Sequence, residues 1–121
     1  MEDRIRFIEH AGKQVLLVDA SHCKPAEIEK LTLLVPSYVT SEAHGSVLLL
    51  ADFTGAEFDR ISIERLKVAA VFDRPHLKRS AWVGVESLPK VFYEHIKSFS
   101  QRELPTFKTR EEALAWLVKD E

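Results

Sequence analysis

The chain has 121 residues, of which 45% are hydrophobic and 30% charged; seventeen Lys+Arg against nineteen Asp+Glu leave a formal charge of −2. Such values suit one soluble globular domain over residues 1–121 and exclude the basic balance of a dedicated nucleic-acid binder. No apolar run approaches the roughly 20 residues of a spanning helix, the charged start MEDRIRFIEH is unlike a signal peptide, and a lone Cys23 makes no internal disulfide, so a cytoplasmic location is expected.

Residues 4–9, RIRFIE, alternate polar and apolar with the period of a half-buried strand. Ala11-Gly12-Lys13 is a short connection, and QVLLVD (14–19) follows as a second strand, which predicts an antiparallel hairpin. Pro25 suits the first turn of a helix carried by Ile28, Leu31 and Val35. Pro36 interrupts that stripe and is expected to kink or end the helix. Glu42-Ala43-His44-Gly45 reads as the exit loop. SVLLLAD (46–52) is apolar almost without alternation, as in a central strand buried on both faces.

After the loop FTGAEF (53–58), Asp59 is a candidate N-cap for a helix to about Phe72, with Ile63, Leu66 and Ala70 inward. Asp73-Arg74-Pro75 stops it. KRSAWVG (78–84) is a fourth strand. Ser87 can cap a third helix, with Pro89 in its first turn and Leu88, Val91, Phe92, His95, Ile96 and Phe99 on one stripe. A short strand is expected around Leu104 to Phe107. Thr109 and Glu112 form a capping box for a last helix, whose buried stripe is Ala113, Leu114, Leu117 and Val118. The order β-β-α-β-α-β-α-β-α predicts an α/β fold: an N-terminal hairpin leading into a mainly parallel, five-stranded mixed sheet with four main helices.

Three segments carry a family resemblance. They are Gly45 to Asp59 (GSVLLLADFTGAEFD), Arg74-Pro75 before a strand ending Val83-Gly84-Val85, and Glu112-Ala113-Leu114-Ala115-Trp116-Leu117. In their joint order the chain resembles the small bacterial SpoIIAA-like proteins, within the broader set of STAS and Sec14-type domains. The resemblance implies a β-α superhelical domain, often dimeric, with no established enzymatic activity. The best-known members of the wider group are anti-sigma factor antagonists, switched by phosphorylation of a Ser that begins the helix after the central strand. Here Asp59 matches the Asp of that motif, but Arg60 stands at the serine's place and the following Gly is absent. A phospho-switch would fall to Ser62, two residues later.

The candidate sites each have a bland alternative. Asp52-Phe53-Thr54-Gly55 lies past the end of the central strand, where open α/β sheets gather ligands. It also reads as a plain exit turn, with Asp52 accepting backbone N–H bonds and Gly55 supplying an unusual dihedral. His10, His22, His44, His76 and His95 have no metal-ligand spacing, so neither a metal nor a cofactor is expected. His95 reads as a core histidine or as a polar group in a ligand pocket. Cys23 reads as an inert thiol, and no Gly-x-Ser-x-Gly elbow supports a hydrolase.

Arg74, His76, Lys78 and Arg79 form a basic cluster, read either as solvated loop charge or as an anion or lipid-headgroup contact. Lys90 and Lys97 lie on the polar side of the third helix, whose apolar stripe suits core packing better than a membrane surface. Phe53, Phe58, Phe72, Trp82, Phe92, Tyr93 and Phe99 either fill the core or line a cavity. The candidate ligand-binding set is Phe53, Phe58, Trp82, Leu88, Phe92 and His95. Trp116, on the flank of its helix, is half-exposed or in an interface.

The preferred functional reading is a non-enzymatic STAS-like module acting through a protein partner or a second copy of itself, marked by an exposed apolar patch on the third or fourth helix. The alternative is a carrier or sensor of an apolar, fatty-acid-like or lipid-like molecule. It adds reversible contact with a membrane surface, peripheral to the inner membrane. An enzyme ranks third.

Overall fold

Ala11 and Gly12 turn the first hairpin with both φ angles positive, 52° and 79°, as the tight turn that matches strand twist requires. Gly12 adopts this freely, whereas Ala11 bears a steric cost. The turn joins β1 (Ile5–His10) to β2 (Lys13–Asp19), antiparallel, with His10 opposite Lys13. The computed structural model describes residues 2–88, 90, 94 and 105–119.

From β2 onward the sheet is parallel: β3 (Val47–Asp52), β4 (Leu77–Val83) and β5 (Thr106–Phe107) follow in spatial as in chain order. α1 (Pro25–Val39) joins β2 to β3, and α2 (Arg60–Asp73) joins β3 to β4. Same-handed crossovers in one direction put both helices on one face. There Ile28, Leu31 and Leu66 pack against Leu16, Leu49 and Trp82. α3 (Arg110–Val118) covers the other face, where Ala113 and Leu117 meet Val15, Leu50 and Val83. Every residue of β3 is buried, in keeping with its unbroken apolar run.

The sheet and hairpin agree with the sequence reading, and three α-helices lie among the described residues. Of the expected third helix, only Lys90 and Glu94 are described beyond Leu88, and both are helical. Val91, Phe92, Tyr93, His95, Ile96, Lys97, Phe99 and Leu104 lie outside the described residues. None of the described helices is long and apolar enough to cross a membrane.

Of the two outcomes expected at Pro36, an end to the helix does not occur: α1 runs on to Val39. The proline removes one hydrogen bond near the C-terminus, at a cost of roughly 3 kcal/mol. Continuing the helix buries Val39 completely, which offsets much of that cost, at about 1.5–3 kcal/mol for a buried side chain.

The pairing of β3 with β4 is irregular at its start. Val47 pairs with Leu77 but Leu48 pairs with Arg79, so Lys78 is an extra, bulged residue. A bulge reverses the alternation of side chains. Leu77, Ser80 and Trp82 thereby come to one face, below α1 and α2, while Ala81 and Val83 face α3.

Candidate functional site

The C-terminal ends of β2 and β3 carry matched aspartates. Asp19 and Asp52 close their strands side by side in register. Each is followed two residues later by a hydroxyl. Ser21 donates to Asp19 Oδ1 from its backbone N (3.1 Å) and its Oγ (2.6 Å). Thr54 donates to Asp52 Oδ1 from N (3.0 Å) and Oγ1 (2.6 Å). Gly55 completes the second turn at φ 68°, and a Cβ there would overlap the His22 ring. The exit-turn reading of Asp52 to Gly55 describes this geometry.

Arg110, the first residue of α3, reaches back over both turns. Its Nε donates to Asp52 Oδ2 at 2.6 Å and its Nη2 lies 3.0 Å from Asp19 Oδ1. Arg4 Nη1 donates to the carbonyls of Asp19 and Ser21. Burial alone would raise both carboxyls. Hydrogen bonds from Thr54 and Arg110 outweigh it at Asp52, and those from Ser21, with Arg110's charge, outweigh it at Asp19, so both are held below the ordinary carboxylate range. Ionised and held by guanidinium, neither is placed to act as a general base near neutral pH. The cluster is a clasp that ties the start of α3 to the C-terminal ends of β2 and β3.

Between α1, α2 and the sheet lies a cavity of about 80 Å³, walled chiefly by Ile28, Leu31, Leu49, Leu66, Phe53 and Trp82. Three polar side chains line it: Thr32 from α1, Asp73 from α2 and Ser80 from β4. Thr32 Oγ1 donates to the Glu29 carbonyl at 2.7 Å. Asp73 is only 5% exposed. Among the described residues its Oδ1 is the buried side-chain oxygen with no hydrogen-bond partner. Burial pushes its carboxyl up to about 7, against a downward pull from His76.

The expected ligand residues divide. Phe53 and Trp82 line the cavity with ring centroids 5.0 Å apart. Phe58 packs on Phe53 at 5.8 Å, and Leu88 is buried in the same cluster, but neither lines the cavity. Phe92 and His95 lie outside the described residues. Phe72 neither fills the core nor lines the cavity; it is 55% exposed.

The basic cluster is dispersed. Arg79 donates to the carbonyls of Trp116, Leu117 and Lys119, capping the end of α3, and its Cζ lies 5.6 Å from the Trp116 ring centre. Trp116 is half-buried there, beside Phe107 and Lys119. His76 Nδ1 meets the Glu42 carbonyl at 3.1 Å, and its ring meets His44 edge-on. Lys78 is the exposed bulge residue, and Arg74 caps α2.

Ser62 is fully buried. Its Oγ accepts from Asp59 N and donates to the Asp59 carbonyl, while its own N–H is held by Asp59 Oδ1. This is the reciprocal cap that opens α2. Cys23 is buried, and burial pushes its thiol up. No group of three or more His, Cys, Asp or Glu among the described residues is arranged to hold a metal.

Sequence reasoning missed Asp19, Arg110 and Asp73. Asp-x-Ser, matching the Asp-x-Thr at the end of the adjacent strand, was the signal for Asp19; no local pattern marked Arg110. Asp73 continues the inward stripe Ile63, Leu66, Ala70 by one more step of three, yet it read only as a helix stop.

A hairpin leading into a parallel sheet, with two helices on one face and a terminal helix on the other, defines an α/β domain whose strand ends are closed by ion pairs. The chain belongs to the SpoIIAA-like family, whose model matches residues 8–118. No curated protein and no solved structure gave a match.

Proposed function

We propose that this chain is a single-domain, non-enzymatic interaction module that docks a protein partner on the outer face of α2. One observation carries the reading. Ile61, Val68 and Phe72 are 56%, 65% and 55% exposed, and they recur along one helical stripe with Arg65 between them. Val71 borders the stripe. An exposed apolar strip of this kind on a charged domain marks a contact surface. The strip lies on the second helix, whereas the sequence reading looked for one on the third or fourth; beyond Leu88, only Lys90 and Glu94 of that third helix are described. Arg60 and Arg65 are exposed beside the strip, so the fitting partner is apolar at its centre and acidic at its rim.

The test is a photo-crosslinking residue at Val68, compared with one at Glu111, which is exposed on the opposite face. A discrete adduct at Val68 alone, lost in Phe72→Glu, is expected. Equal or absent adducts at the two positions would refute the docking face.

A second reading, a carrier or sensor of an apolar small molecule, is supported by the cavity between α1, α2 and the sheet. Its walls include Phe53 and Trp82, and its outline is largely apolar.

A further inference from the structure

We propose that the cavity beneath α1 and α2 is a binding site for a short aliphatic amine, whose ammonium group pairs with Asp73 while its carbon chain lies against the apolar wall. The proposal rests on the second reading above and names the ligand class that reading leaves open.

Four observations lead to it. The first is the orphaned oxygen. Asp73 Oδ1 is buried, lines the cavity and has no partner among the described residues. A buried acceptor left unpaired is costly, so a ligand that donates to it gains more than an ordinary hydrogen bond would give.

The second is charge. The cavity lining contains no Lys, Arg or His; His76, whose charge pulls the Asp73 carboxyl down, stands outside that lining, so within the cavity the charged group a cationic donor meets is the Asp73 carboxylate. Asp73 is also the last residue of α2, whose final turn holds no basic side chain. The negative end of the helix dipole therefore favours a cation at the same place. Above about pH 7, where Asp73 is ionised in the folded chain, its carboxylate is already desolvated, and binding adds only the desolvation of the ammonium. An anionic ligand would meet repulsion from both sources.

Third, the donors and acceptors match in number. An ammonium has three N–H groups. The polar oxygens lining the cavity belong to Asp73, Ser80 and Thr32. The Thr32 hydroxyl already directs its proton to Glu29, which leaves its oxygen as an acceptor. Ser80 reaches this face only because Lys78 bulges out of β4.

The fourth is size. A cavity of about 150 Å³ holds a six-atom ring. A volume of about 80 Å³ therefore suits about three to four heavy atoms, the size of propylamine.

The experiment uses the whole chain at about pH 8, where Asp73 is largely ionised. Propylamine, 1-propanol and propionate are titrated while the methyl resonances of Ala69 and Ala70, both cavity residues, are followed by NMR. The expected order is propylamine tighter than propanol by about ten-fold, with propionate weakest. Asp73→Asn should bring propylamine down to the level of propanol. Because the three probes are compared on the unaltered protein, the test survives a poorly folding variant.

Propanol binding as tightly as propylamine, or an amine preference unchanged in Asp73→Asn, would overturn the role of Asp73 and leave the carrier reading standing. If none of the probes moves the cavity methyls, both fail together.

Discussion

Asp52 and Asp73 are each 5% exposed, yet their carboxyls move in opposite directions. Asp52 receives two hydrogen bonds from Thr54 and one from Arg110 and stays ionised. Asp73 has one oxygen with no partner, and its carboxyl is pushed up to about 7. The Asp73 carboxyl is also the more deeply set of the two, so deeper burial and the missing partners together decide the charge state. The same contrast separates two regions. At the C-terminal ends of β2 and β3, charge holds α3 in place. Under α1 and α2, a single carboxyl stands in an apolar wall.

The largest expected effect breaks this comparison at Asp73. Between the unfolded carboxyl value of 3.8 and the folded value of about 7, the folded chain keeps a proton that the unfolded chain releases. Stability therefore falls as pH rises through that window and levels off above it. Asp73→Asn cannot ionise. Its stability relative to the parent should be greater at about pH 8 than at about pH 5, by about 3 kcal/mol. Denaturant melts of both proteins at the two pH values check this.

The next effect is at Arg110. Arg110→Ala removes the guanidinium shared by Asp52 and Asp19 and leaves a buried carboxylate with the Thr54 bonds alone. A loss of about 2 kcal/mol at neutral pH is expected, moderated by Arg110's own partial exposure. Both carboxyls are lowered in the folded chain, so their contribution is present above the unfolded value. It is lost as pH falls through the folded ones, and the Arg110→Ala difference should shrink in acid with it. A pH series of urea midpoints measures it.

A finer cut is Thr54→Val, which removes one hydroxyl bond to Asp52 and should cost about 1 kcal/mol. The smallest expected effect on stability comes from Val68→Glu on the exposed face of α2, within about 0.5 kcal/mol. Loss of the crosslinked partner with an unchanged melting curve would separate docking from folding.

Much of the fold was legible because its signals are local. The alternation of RIRFIE, the unbroken SVLLLAD and the caps at Asp59 and Thr109 each depend on neighbours a few residues away. Pro36 sits inside α1 without ending it because the burial of Val39, a tertiary term, offsets a local cost. The site was less legible for a similar reason. Arg110 lies 58 residues from Asp52, and only the parallel register beside β2 brings Asp19 into its reach. Arg79 looked like free basic charge because the α3 carbonyls that it caps are 37 to 40 residues away. Phe53 and Trp82 were recognisable only as aromatics that either fill the core or line a cavity. The polar side of that cavity was not recognisable, because it depends on the bulge at Lys78 and on an aspartate that resembles a helix stop.

The most direct test of the account is a carboxyl-carbon NMR titration of the aspartates, with Asp73 and Asp52 assigned through Asp73→Asn and Asp52→Asn. The account predicts that Asp73 titrates near 7 while Asp52 titrates below the ordinary range. An Asp73 value near about 4, the value of a solvated or well-partnered carboxyl, would contradict it.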